Sequence, residues 1–380
     1  MKVGFINSIK QVKKFDWNTV VANASPFLRY EFLSAMESHD CVGEAQGWIP
    51  YHMTLSRDDN NELLAVMPLY LKYNSYGELV FDWSWADAYE RAGRRYYPKL
   101  VSAIPYTPAP GNRLCVKPSE DENVLRKLML EKLIEEAKTL ALSSIHCLFP
   151  TSEECNLAET HNFFPRIGCQ FHWQNKNYES FSEFLSQLNN RKRKNIKKER
   201  KSVLDQGIQY QILNGNEIEE DLWPVIYQFY QITFLEKGGL ATFTLAFFKE
   251  IAKTMGAQLV VILAIYQGEY VAGAICYQDD KTLWGRHWGA LKKFENLHFE
   301  LCYYQGIELA IKQGLTRFEP GAQGEYKLSR GFLPQQTLSF HWIKDDDFSQ
   351  AIRQFTVKET AYMAEYISEM SMHSPFKKMN

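Results

Sequence analysis

The sequence lacks the short signatures of several large enzyme classes. It contains no GxxxxGK[ST] phosphate loop, no GxSxG nucleophile turn and no HExxH zinc motif. Its seven cysteines include no CxxC pair, and its nine histidines show no metal-ligand spacing. These absences argue against P-loop NTPases, α/β-hydrolases, zinc proteases and disulfide-stapled domains. No metal site is predicted.

An excess of one charge and a long apolar run are also missing. Lysine and arginine number 43 against 45 acidic residues, so a protein that binds nucleic acid over its whole surface is not expected. The longest apolar stretch, residues 259–265, is far too short to span a bilayer. Because the N-terminus also has no apolar signal core, we expect a cytoplasmic protein without a transmembrane segment.

The second half of the chain has the pattern of a mixed α/β domain. Residues 258–266, 270–278 and 282–290 alternate or are continuously apolar, which predicts three strands joined by tight turns. Apolar residues then recur at helical spacing from Phe299 to Ile311, and Gly314 is expected to end that helix. Residues 315–320 predict a further strand.

The first half repeats this order. It predicts strands over 47–55 and 62–71, an amphipathic helix over 121–141 and a strand that ends near Pro150, 170 residues before Pro320. The tripeptide Phe-His-Trp also occurs twice, at residues 171–173 and 340–342. The two offsets, 169 and 170 residues, nearly agree and indicate an internal duplication. The predicted domains are residues 1–176 with an insertion at about 82–113, then 177–345, and a C-terminal helix over 346–380.

One segment concentrates positive charge. Residues 190–201 read NRKRKNIKKERK, with eight basic residues and one acid, and predict the front of a helix that opens the second domain. The segment is either a solvated face that contacts acidic parts of the protein or a surface for an anionic donor or acceptor. For the second alternative, the candidate residues for donor phosphate or RNA are Lys192, Arg193, Lys197 and Lys198.

Three stretches resemble a bacterial family of predicted N-acyltransferases associated with peptidoglycan biosynthesis or recognition. They are FDWSWADAYERAGRRYYPKL, IPYTPAPGNRL and EPGAQGEYKLSRGFLP. The repeated strand–helix–strand unit likewise resembles tandem GNAT-fold acyltransferases related to the Fem peptidoglycan aminoacyltransferases. The resemblance implies an α/β fold of two tandem GNAT-like domains, with mixed central sheets flanked by helices. It also implies an N-acyltransferase that forms an amide on an amine or peptidoglycan-precursor acceptor.

The expected reaction needs a donor for the carbonyl oxyanion and a base for the amine proton. In GNAT folds the strand matching residues 282–290 runs along the acyl donor, which makes Arg286 the candidate oxyanion donor and His287 or Glu325 the candidate base. The Gly-rich segment 319–332 follows a core strand, where ligands of α/β sheets collect. This segment contributes four candidate substrate-binding residues, which are Glu319, Gln323, Lys327 and Arg330. Trp288 is a further candidate of the same site.

The insertion provides the other half of the expected site. Trp85, Asp87 and Tyr89 combine aromatic rings with a carboxylate, a mixture that suits a cationic or sugar-like acceptor. We expect these residues to lie in a long aromatic loop that faces residues 286–288 and 319–332 across a cleft. The alternative is that the insertion is an ordinary structural lid.

The donor remains open between two classes. Acetyl-CoA enzymes carry a glycine-patterned pyrophosphate loop, and the corresponding segment here, GALKKFENLHFE, lacks it. Fem enzymes take the acyl group from aminoacyl-tRNA and use a lysine near a late Gly-Phe, which resembles Lys327 before Gly331-Phe332, although with wider spacing. The co-substrate is therefore acyl-CoA or aminoacyl-tRNA. A non-catalytic module that binds an amino-sugar or peptidoglycan-type ligand is the remaining alternative.

Overall fold

The computed structural model describes residues 1–22, 24–322 and 324–377. The strands are β1 (Lys2–Ile6), β2 (Trp48–Pro50), β3 (His52–Ser56), β4 (Leu63–Met67), β5 (Tyr70–Lys72), β6 (Lys99–Ser102), β7 (Cys115–Val116), β8 (Ser144–Leu148), β9 (Phe164–Gln174), β10 (Ile208–Asn214), β11 (Leu259–Tyr266), β12 (Glu269–Gln278), β13 (Thr282–Ala290), β14 (Arg317–Glu319) and β15 (Leu333–Ile343). The α-helices are α1 (Lys14–Val20), α2 (Tyr30–Ser38), α3 (Trp83–Arg91), α4 (Glu122–Thr139), α5 (Ser152–Glu159), α6 (Phe181–Gln187), α7 (Asn190–Asp205), α8 (Trp223–Glu236), α9 (Leu245–Met255), α10 (Leu297–Phe299), α11 (Gln305–Gln313) and α12 (Asp346–Met372). A π-helical turn, Glu300–Tyr304, joins α10 to α11, and a 3₁₀ helix covers Glu325–Arg330.

The chain forms two compact units whose boundaries differ from the predicted domains. The first unit holds Met1–Gly168 and Gln336–Glu365, and the second holds Cys169–Gln335 and the chain from Tyr366 onward. Residues 169–176 therefore belong to the second unit rather than the first, and residues 336–345 to the first rather than the second. The C-terminal segment 346–380 is divided between the units instead of standing apart.

The repeated Phe-His-Trp tripeptide explains these boundaries. The first copy lies on β9, where Trp173 pairs with Phe318 of β14 in the second unit. The second copy lies on β15, where Phe340 pairs with Cys147 of β8 in the first unit. Thus β9, from the first half of the sequence, completes the sheet of the second unit. In the same way β15, from the second half, completes a sheet of the first unit.

The first unit contains two sheets where the sequence predicts continuous strands. The strand predicted over 47–55 breaks into β2 and β3, and the strand predicted over 62–71 breaks into β4 and β5. Their strand orders are β1-β3-β4-β7 and β15-β8-β6-β5-β2. The first break falls at Tyr51, directly after Pro50, and the second at Pro68 and Leu69. A proline has no backbone N–H to donate within a sheet.

The second unit follows its sequence pattern closely. Its strands lie in the order β10-β11-β12-β13-β14-β9, and β13 spans the predicted residues 282–290. All neighbouring pairs are antiparallel except β13 and β14, which are parallel because the helix α11 lies between them in the chain. Gly314 ends α11 in the left-handed conformation with φ of 69°, as predicted.

A pair of glycines lets α8 approach this sheet at backbone distance. Gly273 of β12 and Gly289 of β13 are direct register partners. A Cβ on Gly289 would overlap the backbone carbonyl of Phe229, and a Cβ on Gly273 would lie 2.8 Å from the Phe229 ring. The backbone of α8 cannot rotate away as a side chain could, so β13 requires glycine at this point.

We expect Gly289→Ala to lower the free energy of unfolding by about 1–3 kcal/mol, since the added methyl group overpacks a backbone contact. Chemical denaturation followed by far-UV circular dichroism would measure the change. Gly239→Ala is the matched control, because its Cβ would meet the Phe234 side chain at an ordinary 3.6 Å. Equal effects of the two substitutions would contradict this account of the α8 contact.

Candidate functional site

The candidate site of the second unit lies where two parallel strands separate. Pairing between β13 and β14 runs from Thr282–Arg317 to Trp284–Glu319 and then stops. The first strand continues to Ala290, whereas β14 ends at Glu319 and the chain turns into the Gly-rich segment. Among the described residues, no strand therefore lies beside this edge of β13 after Trp284, and an extended ligand can occupy such an edge.

A β-bulge shapes this stretch of β13. His287 pairs with Ile275 and Gly285 pairs with Cys276, so Arg286 is the additional residue of the bulge. A bulge bends its strand and redirects side chains, which is why bulges are common next to active sites. Strict alternation of side chains between the two faces of the strand therefore does not apply at Arg286.

A cavity of about 340 Å³ opens at this point. Its lining comes from β12, β13, the end of α8, the π-helical turn and the segment after β14. The lining residues are Thr233, Phe234, Lys237, Gly239, Ala274, Cys276, Gly285, Arg286, His287, Trp288, His298, Cys302, Tyr303, Pro320, Gly321, Ala322, Tyr326 and Lys327. The cavity thus brings together four of the predicted site residues, which are Arg286, His287, Trp288 and Lys327.

The cavity is cationic and has no acid in its lining among the described residues. Its charged side chains are Arg286, Lys327 and Lys237. Burial lowers the pKa of Arg286 to about 10, so the guanidinium stays charged at neutral pH. Burial also lowers the pKa of Lys327 to about 7 and that of His298 to about 4. A carboxylate, a phosphate or a developing oxyanion fits this environment.

Lys327 is held in the cavity wall by a single backbone contact. The residue is only 2% exposed, and its Nζ donates to the carbonyl oxygen of Gly321 at 2.7 Å. No described acid forms an ion pair with it, and burial, with the charge of Arg286, lowers its pKa. The prediction that Lys327 faces the ligand is consistent with this position.

His287 lies in an aromatic enclosure that weakens it as a base. Its imidazole ring contacts Tyr230 edge-on at 4.7 Å between centroids and Phe243 at 5.5 Å. Burial and the charge of Arg286 hold the pKa of His287 well below its usual value. The ring is therefore neutral at physiological pH, with little affinity for a proton.

Glu325 does not line the cavity. It is the exposed first residue of the 3₁₀ helix, and its Oε1 accepts a hydrogen bond from the Tyr366 hydroxyl at 2.8 Å. The 3₁₀ turn places Lys327 inward and Glu325 outward because the two residues are about two-thirds of a turn apart. The role of general base predicted for Glu325 is thus not supported by its position.

Arg330 and Glu319 are structural supports of the site rather than parts of its lining. Arg330 bonds the Glu199 carboxylate at 2.8 Å and the Tyr304 hydroxyl at 3.0 Å, and its guanidinium lies 3.4 Å from the centre of the Phe299 ring. Glu319 is buried beside Arg317 at 2.8 Å, and burial raises its pKa to about 7. Arg330 and Glu319 thus make contacts within the protein instead of the predicted contacts with substrate. Gln323 lies outside the described residues.

The predicted acceptor residues of the insertion belong to the first unit and are mostly interior. They lie on a helix, α3, rather than in a loop, and Trp85 and Tyr89 are each 3% exposed. Trp85 packs edge-on against His341 at 5.0 Å, and Tyr89 stacks on Phe348 at 3.8 Å. Asp87 points to solvent, because residues i and i+4 of a helix share a face and residue i+2 does not. The prediction of an aromatic loop that presents Trp85 and Tyr89 to a ligand is therefore wrong.

The basic segment forms the helix α7, as predicted, and most of its charge is exposed. Only Ile196 and Val203 of this helix are buried. Among the described residues, Arg200 has acidic partners, Glu300 at 3.0 Å and Glu308 at 2.8 Å, whereas Lys192, Arg193, Lys197 and Lys198 have none. Arg200 thus contacts acidic parts of the protein, as one of the two alternatives predicts, and these four residues do not.

The segment after β13 offers little to a pyrophosphate group. It spans residues 291–296, and the Gln206 side chain occupies two of its backbone groups, donating to the Glu295 carbonyl and accepting from the Glu295 N–H at 3.1 Å each. The N-cap Asn296 then enters α10 with no side-chain capping bond. A CoA-type phosphate cradle requires free backbone N–H groups at this place.

Several residues of the cavity lining were not predicted from the sequence. Cys302 and Tyr303 reach the cavity because the helix widens into a π-helical turn, a feature common at functional sites but without a sequence signal of its own. Phe234 and Lys237 come from the end of α8. The sequence signal at this place is the pair Gly238-Gly239, which favours an unusual backbone conformation. Burial raises the pKa of the Cys302 thiol well above its usual value, so it is not a thiolate nucleophile.

Within residues 1–22, 24–322 and 324–377, no three or more His, Cys, Asp or Glu side chains are grouped as a metal site would require. In the same residues, no helix is both long and apolar enough to cross a bilayer.

Solved structures with the same fold include FemX, which matches with a TM-score of 0.55 and 11% identity over 93% of this chain and 100% of its own. The C-terminal domain of a putative lysylphosphatidylglycerol synthetase from Agrobacterium fabrum gives a TM-score of 0.53 at 9% identity, over 90% and 94% of the two chains. L-PGS from Bacillus licheniformis gives 0.51 at 10% identity, over 82% and 90%. At these identities the likeness concerns the fold. No curated protein sequence matches the chain.

The family follows from a match along almost the whole sequence. The model of the FemAB-like family, described as peptidoglycan biosynthesis/recognition, covers residues 8–378. This range includes nearly all of both units, the basic helix and every residue of the cavity. The expected resemblance to Fem-related proteins and the α/β fold with tandem GNAT-like domains are thereby confirmed. The chain belongs to the FemAB-like family.

Proposed function

We propose that the second unit carries an acyl-transfer site that forms an amide between an activated acyl donor and an amine acceptor. The observation that carries this proposal is the cationic cavity, with no acid in its described lining, at the point where β13 and β14 separate. Such a cavity binds an anionic donor and stabilises the oxyanion that forms during acyl transfer.

Arg286 is the residue best placed to stabilise that oxyanion. The bulge directs it into the lining, and its charge persists at neutral pH although burial lowers its pKa to about 10. Partial desolvation strengthens the field that a fixed cation exerts on nearby charge. Trp288 and the tyrosines at positions 303 and 326 add flat faces to the same cavity, and the apolar part of an amine acceptor can pack against these faces.

Aminoacyl-tRNA is the favoured donor over acyl-CoA. The glycine-patterned pyrophosphate loop is missing, and Gln206 occupies backbone groups of the segment in its place. In contrast, α7 offers Lys192, Arg193, Lys197 and Lys198 without acidic partners among the described residues, and Glu199 of the same helix bonds Arg330 of the 3₁₀ helix that carries Lys327. A phosphate backbone bound along α7 would thus end near the cavity. The family description makes a peptidoglycan-precursor amine the proposed acceptor.

A transfer assay with three donor classes tests the proposal. Purified protein would be incubated with acetyl-CoA, long-chain acyl-CoA or aminoacyl-tRNA and with an amine-bearing peptidoglycan precursor, and amide formation would be followed by mass spectrometry. We expect transfer from aminoacyl-tRNA. Transfer from an acyl-CoA would refute the choice of donor, and ligand binding without transfer from any donor would favour the non-catalytic binding module.

The role of α7 has its own test. We expect the double charge reversal Lys197→Glu and Lys198→Glu to weaken binding of tRNA and to reduce the slope of log K against log salt by about 1.4–1.8, the loss of two phosphate contacts. Filter binding at several salt concentrations would measure both. Lys127→Glu with Lys138→Glu on the exposed face of α4 is the matched control. If both pairs changed the slope equally, specific binding along α7 would be excluded.

A further inference from the structure

Residues 73–83 of the first unit, the aromatic segment, have the reverse of the usual polarity. Their side chains Ser75, Glu78 and Asp82 are polar, yet each is buried. Four rings of the same segment are exposed instead, namely Tyr73 at 56%, Tyr76 at 69%, Phe81 at 52% and Trp83 at 37%. Clusters of exposed apolar side chains mark sites of interaction with a partner or a membrane. We propose that the aromatic segment is a docking surface for the interface of a lipid bilayer.

The backbone of the aromatic segment is fixed, so its rings are held at the surface. The Tyr76 carbonyl oxygen accepts a hydrogen bond from the Trp48 indole at 3.1 Å, and the Phe81 carbonyl oxygen accepts one from Arg166 at 2.7 Å. Between these two anchors, Leu79 has a φ of 63°. This left-handed conformation is costly for a bulky side chain, and such strain is concentrated at functional sites.

The aromatic segment presents no charge at its surface. Its two acids, Glu78 and Asp82, turn inward and form ion pairs with the buried Lys99. The next exposed charges along the chain lie on α3 and are of both signs. An uncharged apolar surface is complementary to the uncharged part of a bilayer, and its binding does not depend on salt as that of α7 to an anion does.

The size and shape of this surface favour a bilayer over a protein or a sugar. The four rings together expose about 400–500 Å², roughly half of the 800 Å² or so that each partner of a stable protein complex buries. A sugar needs side chains that bond its hydroxyl groups beside a flat ring. Here Glu78 and Asp82 face inward, and the Tyr76 and Trp83 rings meet at an angle of 65°.

The residue types match the layers of a bilayer interface. Phe81 and its half-buried neighbours Leu79 and Val80 are wholly apolar and suit the boundary with the acyl chains. Tyrosine and tryptophan combine an apolar ring with a polar edge, which places them at the level of the headgroups. Insertion would remove the exposed rings from water, and binding strengthens with the apolar area that is buried.

Sedimentation of the full chain with lipid vesicles tests the proposal. Vesicles of phosphatidylcholine, alone and with phosphatidylglycerol, would be compared at low and high salt. We expect binding to phosphatidylcholine that salt does not weaken. The double substitution Tyr76→Ser with Phe81→Ser should lower the partition coefficient at least about tenfold, because it removes two of the four exposed rings.

The helix α12 provides a matched control in the same unit. Tyr362 and Phe355 are the same two residue types, and they are 68% and 46% exposed. We expect Tyr362→Ser with Phe355→Ser to change the partition coefficient less than about twofold, since these rings lie outside the aromatic segment. Thermal unfolding of both double variants would establish that they are folded.

Tryptophan fluorescence reports whether the aromatic segment enters the bilayer. Trp83 is exposed, whereas the other eight tryptophans, all of them within the described residues, are buried or half-buried. Brominated phosphatidylcholine quenches the emission of rings that it contacts. We expect it to quench a fraction of the emission that the substitution Trp83→Phe removes.

Four results would overturn the proposal. They are absence of binding to phosphatidylcholine, equal effects of the two double substitutions, quenching that persists in Trp83→Phe, and binding only to phosphatidylglycerol vesicles at low salt. Self-association or polysaccharide binding that Tyr76→Ser with Phe81→Ser abolishes, in a chain that does not bind vesicles, would assign the surface to a second copy or to a sugar. None of these measurements uses acyl transfer, so this proposal and the proposed function can fail separately.

Discussion

Replacing Arg286 by methionine should reduce kcat/KM for amide formation by about 10²–10³-fold, which is the cost of removing one oxyanion donor from a preorganised site. The loss should fall mainly on kcat, because the interaction strengthens as charge develops on the carbonyl oxygen. Steady-state kinetics with aminoacyl-tRNA would measure it. Thermal unfolding of the variant would be measured alongside, so that kcat/KM is compared at equal folded fractions.

The variant Arg286→Lys separates charge from geometry. Lysine keeps a positive charge but not the planar fork of donors, so an intermediate loss of about tenfold is expected. A reduction below about fivefold for Arg286→Met would mean that Arg286 does not contact the reacting atoms. Equal losses for both variants in KM alone would instead make it a residue of ground-state donor binding.

Replacing Lys99 by methionine should lower the free energy of unfolding of the first unit by about 3–5 kcal/mol, because it leaves buried carboxylates without their cation. The Lys99 Nζ donates to Glu78 and to Ser75, each at 2.9 Å, and forms an ion pair with Asp82. All four side chains are almost completely buried. Guanidinium unfolding of the purified variant would measure the change.

The neighbouring Lys72 provides a matched control. It is the register partner of Lys99 on β5 and is equally buried, but it bonds the Tyr76 carbonyl at 2.9 Å and lies 3.8 Å above the Trp48 ring instead of meeting an acid. Burial lowers its pKa to about 7, whereas the two carboxylates raise that of Lys99. We expect Lys72→Met to cost about 1–2 kcal/mol. A cost equal to that of Lys99→Met would show that the carboxylates do not depend on Lys99.

Much of the second unit was predictable because its signals are local. The strand bounds from 259 to 290 follow from short apolar runs closed by Gly-Glu and Asp-Asp-Lys turns, and Gly314 marks a helix end through its own backbone freedom. The basic helix α7 and the absence of a pyrophosphate loop were equally visible. Each depends on residues close together in the sequence.

The errors share a different cause. Trp85 and Tyr89 have a composition that suits a binding loop, but their i, i+4 spacing on α3 turns them into the core of the first unit. Glu325 and Lys327 are two residues apart, and only the 3₁₀ turn decides that the lysine faces the cavity. Composition indicates which chemistry a residue can perform, whereas its backbone geometry decides where it performs it.

The sequence by itself determined the family, the α/β pattern and the part of β13 on which the site lies, because motifs and periodicity are local properties. Only the tertiary structure decided that β9 completes a sheet of the second unit and β15 a sheet of the first, and that Lys99 forms ion pairs with Glu78 and Asp82. It also decided that the divergence of β13 and β14 opens a cationic cavity. These features arise from contacts between segments far apart in the chain, where many pairings satisfy the same local pattern and packing selects one.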